Sequence, residues 1–162
     1  MNSQLRGTGG VGLESVLEAR QRIADGLVRT PLVHCPEISQ VAGRPVFLKL
    51  ETLQKTGSFK ARGALSKILS LGPLDGRGLI CASTGNHGLG VAYAAARAGA
   101  PCLVVMPDPP NAHKAALLEK LGARVVTYGL TSDERQKRVE EMVWTDGYVD
   151  IHPFADPILI VG

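Results

Sequence analysis

Gly78-Leu-Ile-Cys-Ala82 runs directly into Ser83-Thr-Gly-Asn-His87. A helical pattern follows to Gly99, and a second apolar run, Pro101-Cys-Leu-Val-Val-Met106, comes after it. A short apolar run, a polar turn, a helix of ten or more residues and another short apolar run make a strand-helix-strand unit. The pattern then repeats. A helix is expected from Ala112 to Gly122, a strand from Ala123 to Tyr128, a helix from Ser132 to Trp144, and a short strand from Tyr148 to His152. Gly99, Gly122 and Gly147 stand where each helix should stop, because glycine alone enters the left-handed conformation without strain. Such alternation predicts an α/β fold with a three-layer αβα arrangement and a parallel sheet covered on both faces.

The chain upstream is less regular. Glu14 to Ile23 reads as a short amphipathic helix, with Val16, Leu17 and Ile23 on one side. Arg29-Thr-Pro-Leu-Val33 reads as extended, and Val46 to Leu50 as a strand. Phe59 to Leu71 is expected to be a helix burying Ala61, Leu65, Ile68 and Leu69, opened by Thr56-Gly-Ser58 with Ser58 as its cap.

Composition removes several classes of function. The 162 residues carry a net charge of only +3 without blocks of like charge, which argues against a nucleic-acid binder. Aromatics are 4%, too few for base-stacking platforms. Hydrophobic residues make up 44%, enough for an ordinary core, yet no apolar run has the length of a membrane span and the first residues lack a signal peptide. A cytoplasmic protein is expected. Cys35, Cys81 and Cys102 are odd in number and lack ligand spacing, so Cys81 and Cys102 read as buried reduced thiols. His34, His87, His113 and His152 form no zinc pattern, so no metal is expected.

Two loops place polar groups where a helix begins. In Thr56-Gly-Ser-Phe-Lys60 the lysine falls in a first helical turn, where the helix dipole disfavours a cation. A nucleophilic lysine attacks carbonyl carbon as the free amine, so that placement suits it, although a solvated surface lysine fits the position as well. In Ser83-Thr-Gly-Asn-His87 the free N–H groups of a helix start, together with the Ser83, Thr84 and Asn86 side chains, form an anion site. An ordinary capping turn, with Gly85 at positive φ, is the competing reading. Gly85, Gly88 and Gly90 have the wrong order for a dinucleotide fingerprint. Asp133-Glu-Arg-Gln-Lys-Arg138 reads as the solvated face of a helix.

Glu51-Thr-Leu-Gln-Lys-Thr-Gly-Ser-Phe-Lys-Ala-Arg-Gly-Ala64 resembles the lysine segment of fold-type II pyridoxal-phosphate enzymes, in particular threonine and serine dehydratases and serine racemases. Ser83-Thr-Gly-Asn-His-Gly-Leu-Gly90 resembles their substrate loop. Val105-Met-Pro107, Lys114, Leu121-Gly-Ala123 and His152-Pro-Phe-Ala-Asp-Pro157 follow in the family's order. The resemblance implies a tryptophan synthase beta-like fold truncated to its first half. Residues 1–52 would open the large domain, 53–154 would form the small α/β domain, and 155–162 would return toward a large domain that carries the phosphate-binding glycine loop.

It further implies pyridoxal 5′-phosphate as cofactor, held by Lys60, with Phe59 beside it and Asn86 on its ring oxygen. Ser83, Thr84, Gly85, Asn86 and His87 would surround the substrate carboxylate. Lys60 and Thr84 would be the catalytic pair. The implied reaction is dehydration of L-threonine, L-serine or a similar hydroxy amino acid to a 2-oxo acid and ammonia, in a homo-oligomer. Amino-acid racemisation and a non-catalytic interaction module are the alternatives. Without the phosphate loop the isolated chain is expected to have little activity.

Overall fold

The computed structural model describes residues 11–162. Its centre is a parallel sheet of β3 (Leu79–Ala82), β4 (Cys102–Met106), β5 (Arg124–Thr127) and β6 (Val149–Asp150), in the order β5-β4-β3-β6. Alternation along the strands sorts their side chains to two faces. Leu79, Cys81, Val104 and Met106 pack under α3 (Lys60–Ser70), α4 (Asn86–Ala98) and α5 (Ala112–Lys120). Ile80, Leu103 and Val105 pack under α6 (Ser132–Asp146) through Val139. Every residue of β4 is buried because it lies inside the sheet with helices on both sides.

The expected three-layer α/β fold is therefore present. Gly99 (φ 65°) and Gly147 (φ 73°) end α4 and α6 in the left-handed conformation, and Gly122 (φ 82°) follows α5. Cys81 and Cys102 are buried free thiols, and burial pushes Cys81 well up and Cys102 up to about 12.

Upstream, α1 (Leu13–Arg22) precedes a two-stranded antiparallel ribbon of β1 (Leu32–His34) and β2 (Phe47–Lys49). Periodicity does not announce the intervening α2 (Pro36–Ala42). Its signals are Pro36 at the first turn and Gly43 at φ 66° as the stop, which are punctuation rather than pattern. The short α7 (Pro157–Val161), capped by Asp156, is likewise unmarked in the sequence, and it packs on α3. The strand expected from Tyr148 to His152 is shorter, because the His152 ring accepts the N–H groups of Phe154 and Ala155 and turns the chain. Among the described residues no helix is long and apolar enough to cross a membrane.

Sheet order locates the site. From β3 the chain moves outward through α4, β4, α5 and β5, then returns by α6 to place β6 on the other side of β3. The C-terminal ends of β3 and β6 thus flank the switch point, where adjacent connections leave toward opposite faces. A parallel sheet opens into a ligand crevice at that place.

Candidate active site

A cleft of about 480 Å³ occupies the switch point. Three segments converge on it: the loop from Ala82 to His87, the start of α6 at Ser132–Gln136, and the turn His152-Pro-Phe154. Lys60 enters from the first residue of α3.

Lys60 is held by local chemistry. Its backbone N–H donates to Ser58 Oγ at 3.2 Å, so the serine caps the helix start although Phe59 is the boundary residue. Its Nζ donates to the Pro153 carbonyl at 3.3 Å and lies 4.9 and 5.3 Å from the ring centres of Phe154 and Phe59. Half-buried between two aromatic rings, this lysine is not a freely solvated one. Gly90 permits the placement. A Cβ there would stand 2.8 Å from the Lys60 carbonyl oxygen, so only glycine lets α4 come this close to the backbone of α3.

The loop residues divide by role. Ser83 is buried, and its Oγ accepts the N–H groups of Gly85 (3.1 Å) and Gly88 (2.8 Å), which makes it the capping group of α4. Gly85 has φ 179°, an extended backbone, so the left-handed glycine expected for a plain capping turn is not found. Thr84 is exposed, and its hydroxyl has no hydrogen-bond partner among the described residues. Asn86 is exposed, and its Oδ1 accepts from Lys114 Nζ at 2.9 Å. Lys114 is thereby part of the site's support. His87 is buried, with Nε2 donating to the Ile151 carbonyl at 2.7 Å and Nδ1 unpartnered. Burial holds its pKa down at about 4, so the ring is neutral and Nδ1 is an acceptor.

The structure thus gathers Lys60 and residues 83–87 around one space, leaves Phe59 outside its lining but beside the Lys60 amine, and adds residues that periodicity did not expose. The clearest is Arg135. Within the segment expected to be a solvated face it is only 5% exposed and lines the cleft. A sequence signal existed: Arg135, Val139 and Met142 share the inward stripe of α6 at helical spacing. Gln136 holds Asp150 Oδ2 at 2.9 Å, and burial pushes the Asp150 carboxyl up. Behind Lys60, Arg62 grips Glu51 through two hydrogen bonds of 2.8 and 2.7 Å, and Thr30 adds a third to the same carboxylate, tying α3 to the β1 approach.

Comparison with known proteins agrees with this geometry. The family model described as pyridoxal-phosphate dependent enzyme matches residues 23–162. A putative threonine dehydratase of Sinorhizobium fredii is 43% identical over 153 residues, which are 94% of this chain and 46% of that protein. A T.th. threonine deaminase superposes with a TM-score of 0.81 at 44% identity, over 93% of this chain and 48% of the other. The serine racemase of Dictyostelium discoideum does so with 0.82 at 33% identity, over 92% and 49%. The chain spans about half the length of the curated relatives it matches. By these matches and by its fold, the chain belongs to the family of pyridoxal-phosphate dependent enzymes.

Proposed function

We propose that this chain forms the Lys60-bearing half of a pyridoxal-phosphate-dependent dehydratase acting on hydroxy amino acids. The observation that carries the reading is the convergence of the Lys60 amine and the open start of α4 on one cleft at the sheet's switch point. The donor set fits an aldehyde-bearing cofactor with acidic oxygens: a primary amine, free helix N–H groups, an amide and a hydroxyl. When bound, pyridoxal phosphate supplies an electron sink for negative charge at the amino acid's Cα.

The residues act as follows. Lys60 would hold the cofactor through Nζ and, once the substrate's amino group has displaced it, would move the Cα proton with the freed amine; Phe59 lies beside it. The Lys114 contact to Asn86 Oδ1 leaves the amide donors of Asn86 for the cofactor's ring oxygen. Ser83 fixes the loop by taking the Gly85 and Gly88 N–H groups, which leaves those of Asn86 and His87 for the substrate carboxylate. Thr84, with its free hydroxyl, is a second group able to carry a proton. Racemisation, the second reading, rests on that hydroxyl, but the bulk and restricted χ1 of threonine suit proton transfer poorly, so elimination is the favoured reaction. Three unpaired thiols suit a reducing cytoplasm, and the exposed apolar residues of the upstream segment suit a homo-oligomer. In this reading residues 53–154 are the small domain, flanked by parts of the larger one.

The test is spectroscopic first and chemical second. On mixing with pyridoxal phosphate, an absorbance band near the visible edge is expected with the native chain and not with Lys60→Ala. L-Threonine and L-serine should then yield a 2-oxo acid and ammonia at a low rate, in keeping with a chain that spans about half the length of its relatives, whereas D-amino acid as the sole product would establish racemisation. Absence of any Lys60-dependent band would overturn the enzymatic reading and leave an interaction module.

A further inference from the structure

Residues 151–156 form a strap that leads from β6 to α7 along the wall of the cleft, and each end is tied to a helix. At one end the Ile151 carbonyl accepts the Nε2–H of His87 in α4 at 2.7 Å, and Ile151 itself is fully buried. At the other, Asp156 caps α7 through the N–H groups of Ile158 and Leu159 and pairs with Lys67 of α3 at 2.7 Å. Between these anchors the strap meets Lys60. The Pro153 carbonyl accepts from Nζ at 3.3 Å, and the centre of the Phe154 ring lies 4.9 Å from the same atom.

Little from outside holds that middle part. Phe154 is 72% exposed, so core packing does not fix its ring. Among the described residues, no backbone group of residues 152–155 bonds to another backbone group. The support is internal: His152 Nδ1 accepts the N–H groups of Phe154 at 3.1 Å and of Ala155 at 3.0 Å. Accepting from N–H groups two and three residues onward is how Asn and Asp side chains close a turn on their own backbone, and here an imidazole does it. The lysine stem is long and flexible, so an amine that must meet a carbonyl carbon gains from being held in one place. We propose that His152 is a positioning residue for the Lys60 amine: it folds the strap so that the Pro153 carbonyl and the Phe154 ring hold Nζ in the cleft.

The consequence for chemistry rests on the reading of Lys60 as the cofactor-binding amine, and the test separates the two. The full chain is prepared with lysine carrying carbon-13 at Cε, and the Lys60 signal is assigned by its loss in Lys60→Arg. Aromatic rings this close displace that signal from those of exposed lysines. His152→Phe keeps the bulk of the ring and His152→Ala removes it, but neither offers an acceptor, and in both the signal should move most of the way to the exposed position. His152→Asn puts an amide oxygen where Nδ1 stood and should keep the native signal. The rate at which the Lys60-dependent absorbance appears with pyridoxal phosphate should follow the same order, roughly tenfold slower in the first two variants and near native in the third. A melting curve checks the fold of each, since the anchors at Ile151 and Asp156 do not use the His152 ring. A Lys60 signal unmoved in folded His152→Phe or His152→Ala, or displaced as far in His152→Asn as in those two, overturns the proposal. Unfolding of both acceptor-free variants also overturns it, because His152 would then hold the fold and not the amine. Absorbance that appears at the native rate in every variant leaves the dehydratase reading standing and overturns the positioning role. Signals in the expected order, with no Lys60-dependent absorbance even in the native chain, support the strap and overturn the dehydratase reading.

Discussion

His87 shows how a single side chain couples the cleft to folding. Its Nε2–H is given to the Ile151 carbonyl, and burial lowers its pKa from 6.5 to about 4. The unfolded chain therefore binds a proton near pH 6.5 that the folded chain refuses until about pH 4. Stability is full above the higher value and falls as the pH drops between the two, by about 3 kcal/mol in all. Urea midpoints measured across that interval should show this slope in the native chain and a much flatter one in His87→Gln, which keeps a donor but does not titrate there. Glu51 acts in the same direction at lower pH, because its hydrogen bonds to Arg62 hold its carboxyl below the usual range. At this scale the sequence displayed the polar residues of both loops. It did not show that Ser83 spends its hydroxyl on capping, or that Asn86 is held by Lys114, since those partners lie outside the loop's own pattern.

Among elements, the contact between α3 and α4 decides where Lys60 stands. Two glycines of α4 serve that contact and the sheet beneath it. Gly88 faces Ser83 and Val104, and Gly90 faces the Lys60 carbonyl. Replacing Gly90 with alanine gains about 1 kcal/mol of helix propensity. The added methyl meets backbone that cannot rotate away, and such overpacking costs about 1–3 kcal/mol. Gly90→Ala should be the less stable protein by denaturant titration, and its Lys60-dependent absorbance should weaken as α3 is pushed off α4. In the sequence these glycines look like a nucleotide motif in the wrong order. Their purpose is close packing, and a one-dimensional pattern cannot show which backbone a helix face will meet.

For the whole molecule, the apolar surface is unevenly distributed. The sheet core is closed, but Leu13, Leu32, Val41 and Phe47 in the upstream segment are all more than half exposed. Exposed apolar surface of this kind binds hydrophobic dyes and promotes association. Leu32→Glu with Phe47→Glu should reduce dye binding and self-association in gel filtration, while each changes stability by less than about 0.5 kcal/mol because neither side chain is in the core. The amino-acid sequence by itself determined the alternation of strands and helices, the glycine stops and the two loops that carry Lys60 and Ser83 to His87. These follow from local periodicity and from backbone freedom, which neighbouring residues set. The tertiary structure decided the rest: that β6 returns beside β3 and opens the crevice there, that Lys60 lies between Phe59 and Phe154, and that Arg135 is sealed unpaired in the wall. Those facts depend on which distant segments come together, and burial and pairing energies exist only after they have done so.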